Sequence, residues 1–181
     1  MAVCTSSSRW HNVLRRAVFA LLACNTLYYL YTGPLSKLLD AVAWFVLLIL
    51  YALEAGDPRH IAEGYTGMAL RALRLAAATG VCGAGFGYII EQNSLDAINT
   101  GLWIAVVALL EFEVRRPLDV ARYHIWFTAS AATLYTALAG LVLAWAWRGA
   151  WLDAYDALLW LVAFVTIETD MLKKPARRPV V

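Results

Sequence analysis

Charge is scarce in this chain: Asp, Glu, Lys and Arg make up 15% of its 181 residues, against 62% hydrophobic ones. A soluble domain carries about 25% charged and about half apolar residues, so the composition excludes the water-soluble globular class. Cysteine is as sparse. Cys4, Cys24 and Cys82 show no C-x-x-C or other ligand spacing and no even count, which removes a disulfide framework and leaves them as free structural thiols. The sequence also lacks an N-x-[ST] sequon, a GxxxxGK[ST] phosphate loop and an H-E-x-x-H helix, and with them the functions those motifs carry. No nucleophile–base pair, metal cluster or cofactor motif stands out, so no catalytic residue and no cofactor is expected.

Six apolar runs fill the chain, which implies an all-α integral membrane protein with six transmembrane helices in a single domain over residues 1–181. The runs cover residues 17–31, 38–55, 75–90, 95–114, 125–147 and 152–172, each near the roughly 20 residues a membrane helix needs. Thr32-Gly33-Pro34, Asp57-Pro58 and Pro117 fall between them. Arg71 and Arg74 shorten the third run. That run holds Ala76, Gly80 and Ala84, with Gly83 and Gly87, while the fifth holds Ala129, Thr133 and Ala137, with Thr136, Gly140 and Ala144. Small residues at four-residue spacing let membrane helices approach closely. Asn25, Thr26, Ser130 and Thr133 are expected to form hydrogen bonds between helices.

Basic residues set the orientation. With a cytoplasmic N-terminus, Arg9, Arg15, Arg16, Arg59, Arg71, Arg74, Arg115, Arg116, Arg122, Lys173, Lys174, Arg177 and Arg178 lie inside, and Lys37 and Arg148 outside. Such an imbalance is a positive-inside signal, so both termini are expected in the cytoplasm, while few lysines, abundant Ala and Arg and short loops suggest a bacterial inner membrane. Trp10, Tyr28, Tyr29, Tyr31, Trp145, Trp147 and Trp151 fall near the membrane surfaces, where aromatic belts sit. A lipoprotein cleavage pattern, Leu21-Leu22-Ala23-Cys24, competes with the first span, but the apolar run continues to Tyr31 as a span would.

A repeat runs through the even spans. LDAVAWFVLLILYALEAGDPRH from Leu39, LDAINTGLWIAVVALLEFEVRRP from Leu95 and LDAYDALLWLVAFVTIETDMLKKP from Leu152 share one plan, with Glu54, Glu111 and Glu168 spaced by 57 residues. Three tandem hairpins follow, about residues 13–57, 68–115 and 122–174, related by an axis along the membrane normal. Asp40, Asp96 and Asp153 open the even helices, where an acid in the first turn favours the helix dipole. The glutamates close them, where the dipole is unfavourable. Asp96 and Glu111 are only about 22 Å apart along a helix, less than the roughly 30 Å hydrocarbon layer. Arg59, Arg116 and Lys173, five residues beyond each glutamate, then mark the interface, which places the glutamates inside the membrane. Local pairing is the competing explanation: Glu111 has Arg115, and Asp170 has Lys174, four residues on. Glu113 is two residues from Glu111, nearly the opposite face.

At 100° per residue Asp96, Thr100, Trp103, Val107 and Glu111 share a face, as do Asp153, Ala157, Trp160, Phe164 and Glu168, and Asp40, Trp44, Tyr51 and Glu54. If the three faces converge, an acid layer, an indole layer of Trp44, Trp103 and Trp160, and a second acid layer line one axis. Indole faces hold desolvated cations. His60 and His124 could join Glu54 or Glu111 around a metal, though no ligand spacing identifies one. Glu54-Ala55-Gly56-Asp57 resembles the E-x-G-D-[KR] signature of small Ca/Mn-type cation exchangers, with Pro58 where that family has Lys or Arg and without a second copy. Three functions remain open: a transporter or channel component for a cation or small cationic solute, a non-catalytic assembly subunit, and a lipid-acting membrane enzyme. The expected partners are the lipid bilayer and a homo-oligomeric or membrane-complex partner, with no nucleic acid.

Overall fold

The computed structural model describes the backbone of residues 4–56 and 65–173, and among these residues there is no strand. Helices α1 (Cys4–Thr32), α2 (Leu35–Gly56), α3 (Tyr65–Ile90), α4 (Ser94–Arg115), α5 (Pro117–Arg122), α6 (His124–Trp147) and α7 (Trp151–Lys173) follow in order. Gly67–Ile90, Ser94–Glu113 and His124–Trp147 are each long and apolar enough to cross a membrane, which marks a helical membrane protein. Asp57, Pro58, Arg59, His60, Gly64, Lys174, Arg177 and Arg178 lie outside the described residues, as do the side chains of Arg9, Trp10, Arg15, Glu54, Glu168, Asp170 and Lys173.

Two compact units divide the chain, one of residues 23–134 and one of residues 1–22 with 135–181. In the first, α3 packs against both α2 and α4. Small residues permit this. A Cβ at Gly80 would meet the Ala43 methyl at 3.2 Å, one at Gly83 the Leu39 side chain at 3.7 Å, and one at Gly85 the Thr100 methyl at 3.4 Å. At Gly87 the hypothetical Cβ falls 2.5 Å from Ser36 Oγ and 3.3 Å from its Cβ, so any side chain there would force the Ser36 hydroxyl from its present position. Ala77 and Ala84 are buried beside these glycines, whereas Ala76 is exposed. The small-residue face is therefore rotated from the one built on Ala76.

Helix α3 begins at Tyr65, ten residues before the expected span, with Arg71 and Arg74 exposed on it. Arginine is a good helix former, and its long stem lets an apolar helix continue past it while the guanidinium reaches water. Exposed hydroxyls are met locally: Thr79 Oγ1 donates to the Leu75 carbonyl and Thr133 Oγ1 to the Ala129 carbonyl, both at 2.8 Å. Thr133 thus bonds within its own helix rather than across helices, the usual resort of a threonine facing an apolar medium. Of the expected belt aromatics, Tyr28, Tyr31, Trp147 and Trp151 are exposed, but Tyr29 and Trp145 are buried.

The α6–α7 and α3–α4 turns are closed by the same pair of backbone bonds. Between α6 and α7, Ala150 N–H donates to the Trp145 carbonyl and Gly149 N–H to that of Ala146, with Gly149 at φ +75°. This is the Schellman arrangement, which needs a left-handed residue and favours glycine. Between α3 and α4, Asn93 N–H donates to Tyr88 and Gln92 N–H to Ile89, and Gln92 stands at φ +55°. A non-glycine residue there costs roughly 1 kcal/mol. Gly149→Ala is expected to lower stability by about 1 kcal/mol and Gly87→Ala by about 1–3 kcal/mol through overpacking. Gly101, where a Cβ meets nothing within 4 Å, is expected to gain about 0.5–1 kcal/mol as alanine. Thermal unfolding in detergent micelles checks the order, and equal shifts for the three variants would contradict it.

Candidate functional site

Three side-chain rungs, each one helical turn below the last, join α2 to α4. At the top the Lys37 ammonium lies 3.4 Å from Asp96 Oδ2, with side chains only 18% and 10% exposed. One turn down, Thr100 Oγ1 is 3.5 Å from Asp40 Oδ2. One further turn down, the rings of Trp44 and Trp103 stand 6.4 Å apart at 59°, a tilted pairing that favours the ring quadrupoles. Helix α3 adds Tyr88, whose hydroxyl donates to Asp40 Oδ2 at 3.3 Å.

Backbone geometry positions each group. Pro34 precedes α2 and starts it at Leu35, because proline presets the helical φ but cannot continue a helix backwards. Asp40 then falls in the second turn, not the first. The helix-dipole explanation thus fits Asp96 and Asp153, both in first turns, but fails for Asp40, whose carboxylate is held by Tyr88 and Thr100 instead. The α3–α4 turn pins the rim. Asn93 Nδ2 donates to Asp96 Oδ2, and Ser36 Oγ donates to Glu91 Oε1 at 2.5 Å. Lys37 also lies 5.9 Å from the centroid of Tyr29, within cation–π range. Asn99 Oδ1 is buried with no hydrogen-bond partner among the described residues, one turn from Asp96.

Comparison with family models, with curated proteins and with solved structures returns no match. The arrangement of side chains alone therefore carries the functional reading.

Two of the expected faces meet, those of α2 and α4, through Asp40, Asp96, Thr100, Trp44 and Trp103. Within α7, Trp160 and Ala157 are buried, Asp153 is half-buried, and Trp160 and Phe164 rings lie 6.4 Å apart. Glu111 does not join the buried face. Its side chain is 56% exposed and paired with Arg115 at 2.6 Å. The reason is a drift in the packing stripe: Asp96, Thr100, Trp103 and Val106 are buried while Val107 is exposed, a repeat nearer 3.5 than 3.6 residues. The difference amounts to about 20° per heptad, and by the last turn the stripe has left Glu111 for the half-buried Leu110. Glu113 is exposed as well. His124 is exposed, and among the described residues no group of three His, Cys, Asp or Glu side chains is placed to hold a metal.

Sequence reasoning missed Lys37, Tyr88, Ser36 and Glu91. A signal existed for Lys37, a base three residues before Asp40 on a face otherwise apolar, whereas Tyr88 and Glu91 join only through the α3–α4 turn. Removing one partner from a buried ion pair is strongly destabilising, and replacing both much less so. Asp96→Leu is expected to cost about 3 kcal/mol, and Lys37→Met combined with Asp96→Leu to recover most of it. Chemical unfolding in micelles reads the coupling, and losses that simply add would contradict the pair.

Proposed function

We propose that this protein is a small transporter or channel component for a cation or small cationic solute. The observation that carries the proposal is the placing of two partly buried carboxylates one helical turn apart between neighbouring helices, Asp40 met by Tyr88 and Thr100 and Asp96 by Lys37 and Asn93, above an indole pair. Ionisable groups buried among apolar helices are expensive to keep. A carboxylate oxygen, a threonine hydroxyl and an amide oxygen such as Asn99 Oδ1 are hard oxygen donors suited to cations. In the proposed cycle Lys37 acts as a tethered internal cation that an arriving one displaces from Asp96. Trp44 and Trp103 close the path below until the helices shift.

The same proposal takes the fold as six membrane spans in three hairpins with both termini cytoplasmic. Its support is the sorting of basic residues in residues 23–134: Arg71, Arg74, Arg115, Arg116 and Arg122 are exposed at one end of the α3–α4 hairpin, whereas Lys37 stands at the other. Glu54, Glu111 and Glu168 then serve the cytoplasmic mouth, where Glu111 shares its charge with Arg115.

A second reading, the assembly subunit, draws on α6. Only 11% of its apolar window is buried, against 22% in α3 and in α4, and Ala129, Thr133, Thr136 and Gly140 are exposed along it. Small residues so arranged suit a neighbouring helix.

Flux into proteoliposomes separates the two. With rubidium, protons and tetramethylammonium as probes, the wild-type protein is expected to pass at least one above the empty-vesicle rate, and Asp40→Asn and Asp96→Asn each to lower that rate at least about tenfold, in keeping with loss of a buried binding charge. Glu113→Gln is expected to leave it unchanged. No flux of any probe, together with a stoichiometric partner in native membrane extracts, would overturn transport in favour of assembly.

A further inference from the structure

The corner between α4 and α6 joins two helices that are each long and apolar enough to cross a membrane, Ser94–Glu113 and His124–Trp147, and a crossing by both puts it at a membrane surface. Its composition is unlike that of a solvated loop. Leu118 is 85% exposed, Trp126 75% and Ile125 69%, and Arg115, Arg116 and Arg122 are exposed among them. Pro117 opens α5 at its first position, which fixes a short helical step in place of a flexible link. Phe112 and Phe127 stack across the corner at 5.3 Å and 20°, holding the end of α4 against the start of α6.

The arginines are held but not consumed. Arg115 pairs with Glu111, Arg116 lies 3.5 Å from Asp119, and Arg122 lies 5.5 Å from the Tyr123 ring centroid. Both ion pairs are largely exposed, a setting in which an ion pair is weak and readily exchanged. Exposed Arg71 and Arg74 of α3 arrive at the same end, because the tight turn at residues 91–93 runs α3 antiparallel to α4.

We propose that this corner is a binding surface for anionic phospholipid headgroups. Leu118, Ile125 and Trp126 enter the boundary between headgroups and acyl chains, where an exposed indole is favoured, and Arg115, Arg116 and Arg122 exchange their carboxylate or aromatic partners for lipid phosphates. The proposal is independent of cation transport and needs only that α4 and α6 span the membrane.

The test uses the full-length protein in phosphatidylcholine nanodiscs doped with brominated phosphatidylglycerol or brominated phosphatidylcholine, whose bromines quench nearby indoles. The Trp126 signal is the difference between wild type and Trp126→Phe. Quenching of that signal is expected to be stronger with the anionic lipid, and Arg116→Gln with Arg122→Gln to weaken the anionic preference about tenfold. Should the double variant fail to fold, the wild-type protein still decides, since the preference must fall as salt rises from about 0.05 to 0.5 M. Equal quenching by the two lipids, a preference unchanged in the folded double variant, or a preference indifferent to salt would each overturn the proposal.

Discussion

A carboxylate withdrawn from water has to be met by donors or by a cation, and in residues 23–134 that demand ties three helices together. Asp40 is met by Tyr88 from α3 and Thr100 from α4, and Asp96 by Lys37 from α2 and Asn93 from the α3–α4 turn. Each partner comes from a different element than the acid or from a turn beside it. The network therefore holds only in one register of α2 against α4, and the Trp44–Trp103 contact one turn below repeats that register in apolar form.

Close packing makes the register reachable. Because α3 presents glycine at 80, 83, 85 and 87 to its neighbours, α2 and α4 can come near enough for side chains as short as threonine and aspartate to meet. Gly87 couples the two requirements directly, since the space it leaves is taken by Ser36, whose hydroxyl reaches Glu91 at the rim. The strained Gln92 turn stands at the same end. Strain at such a position persists only where its surroundings hold it, and here Glu91 accepts from Ser36 and Asn93 donates to Asp96 on either side.

The helices were legible from composition and breakers: the ends of α2, α4, α6 and α7 lie within about three residues of the apolar runs, as is usual for helix boundaries. Helix α5 has a start signal too, Pro117 followed by Asp119 in the first turn, but its six residues are too few to form an apolar run. Helical angle does not give the register that sets Asp40 against Thr100 rather than Asp96, but it groups Asp40 with Trp44, and Asp96 with Thr100 and Trp103, because over two turns a straight helix and a packed one hardly differ. Over four turns they do, which is why Glu111 was assigned to a face it does not occupy. The role of Tyr88 depends on how three helices approach one another, and no single helix carries that information.

The Asp96 cluster and the arginine corner thus stand at opposite ends of α4, about 30 Å apart at 1.5 Å per residue. Both the proposed cation path and the proposed lipid surface require α4 to cross the bilayer between them. Labelling by a membrane-impermeant maleimide in sealed vesicles measures this directly, using Gln92→Cys and Arg116→Cys in a chain whose Cys4, Cys24 and Cys82 are replaced by alanine. The two positions should be labelled from opposite sides. Labelling of both from the same side would contradict the account.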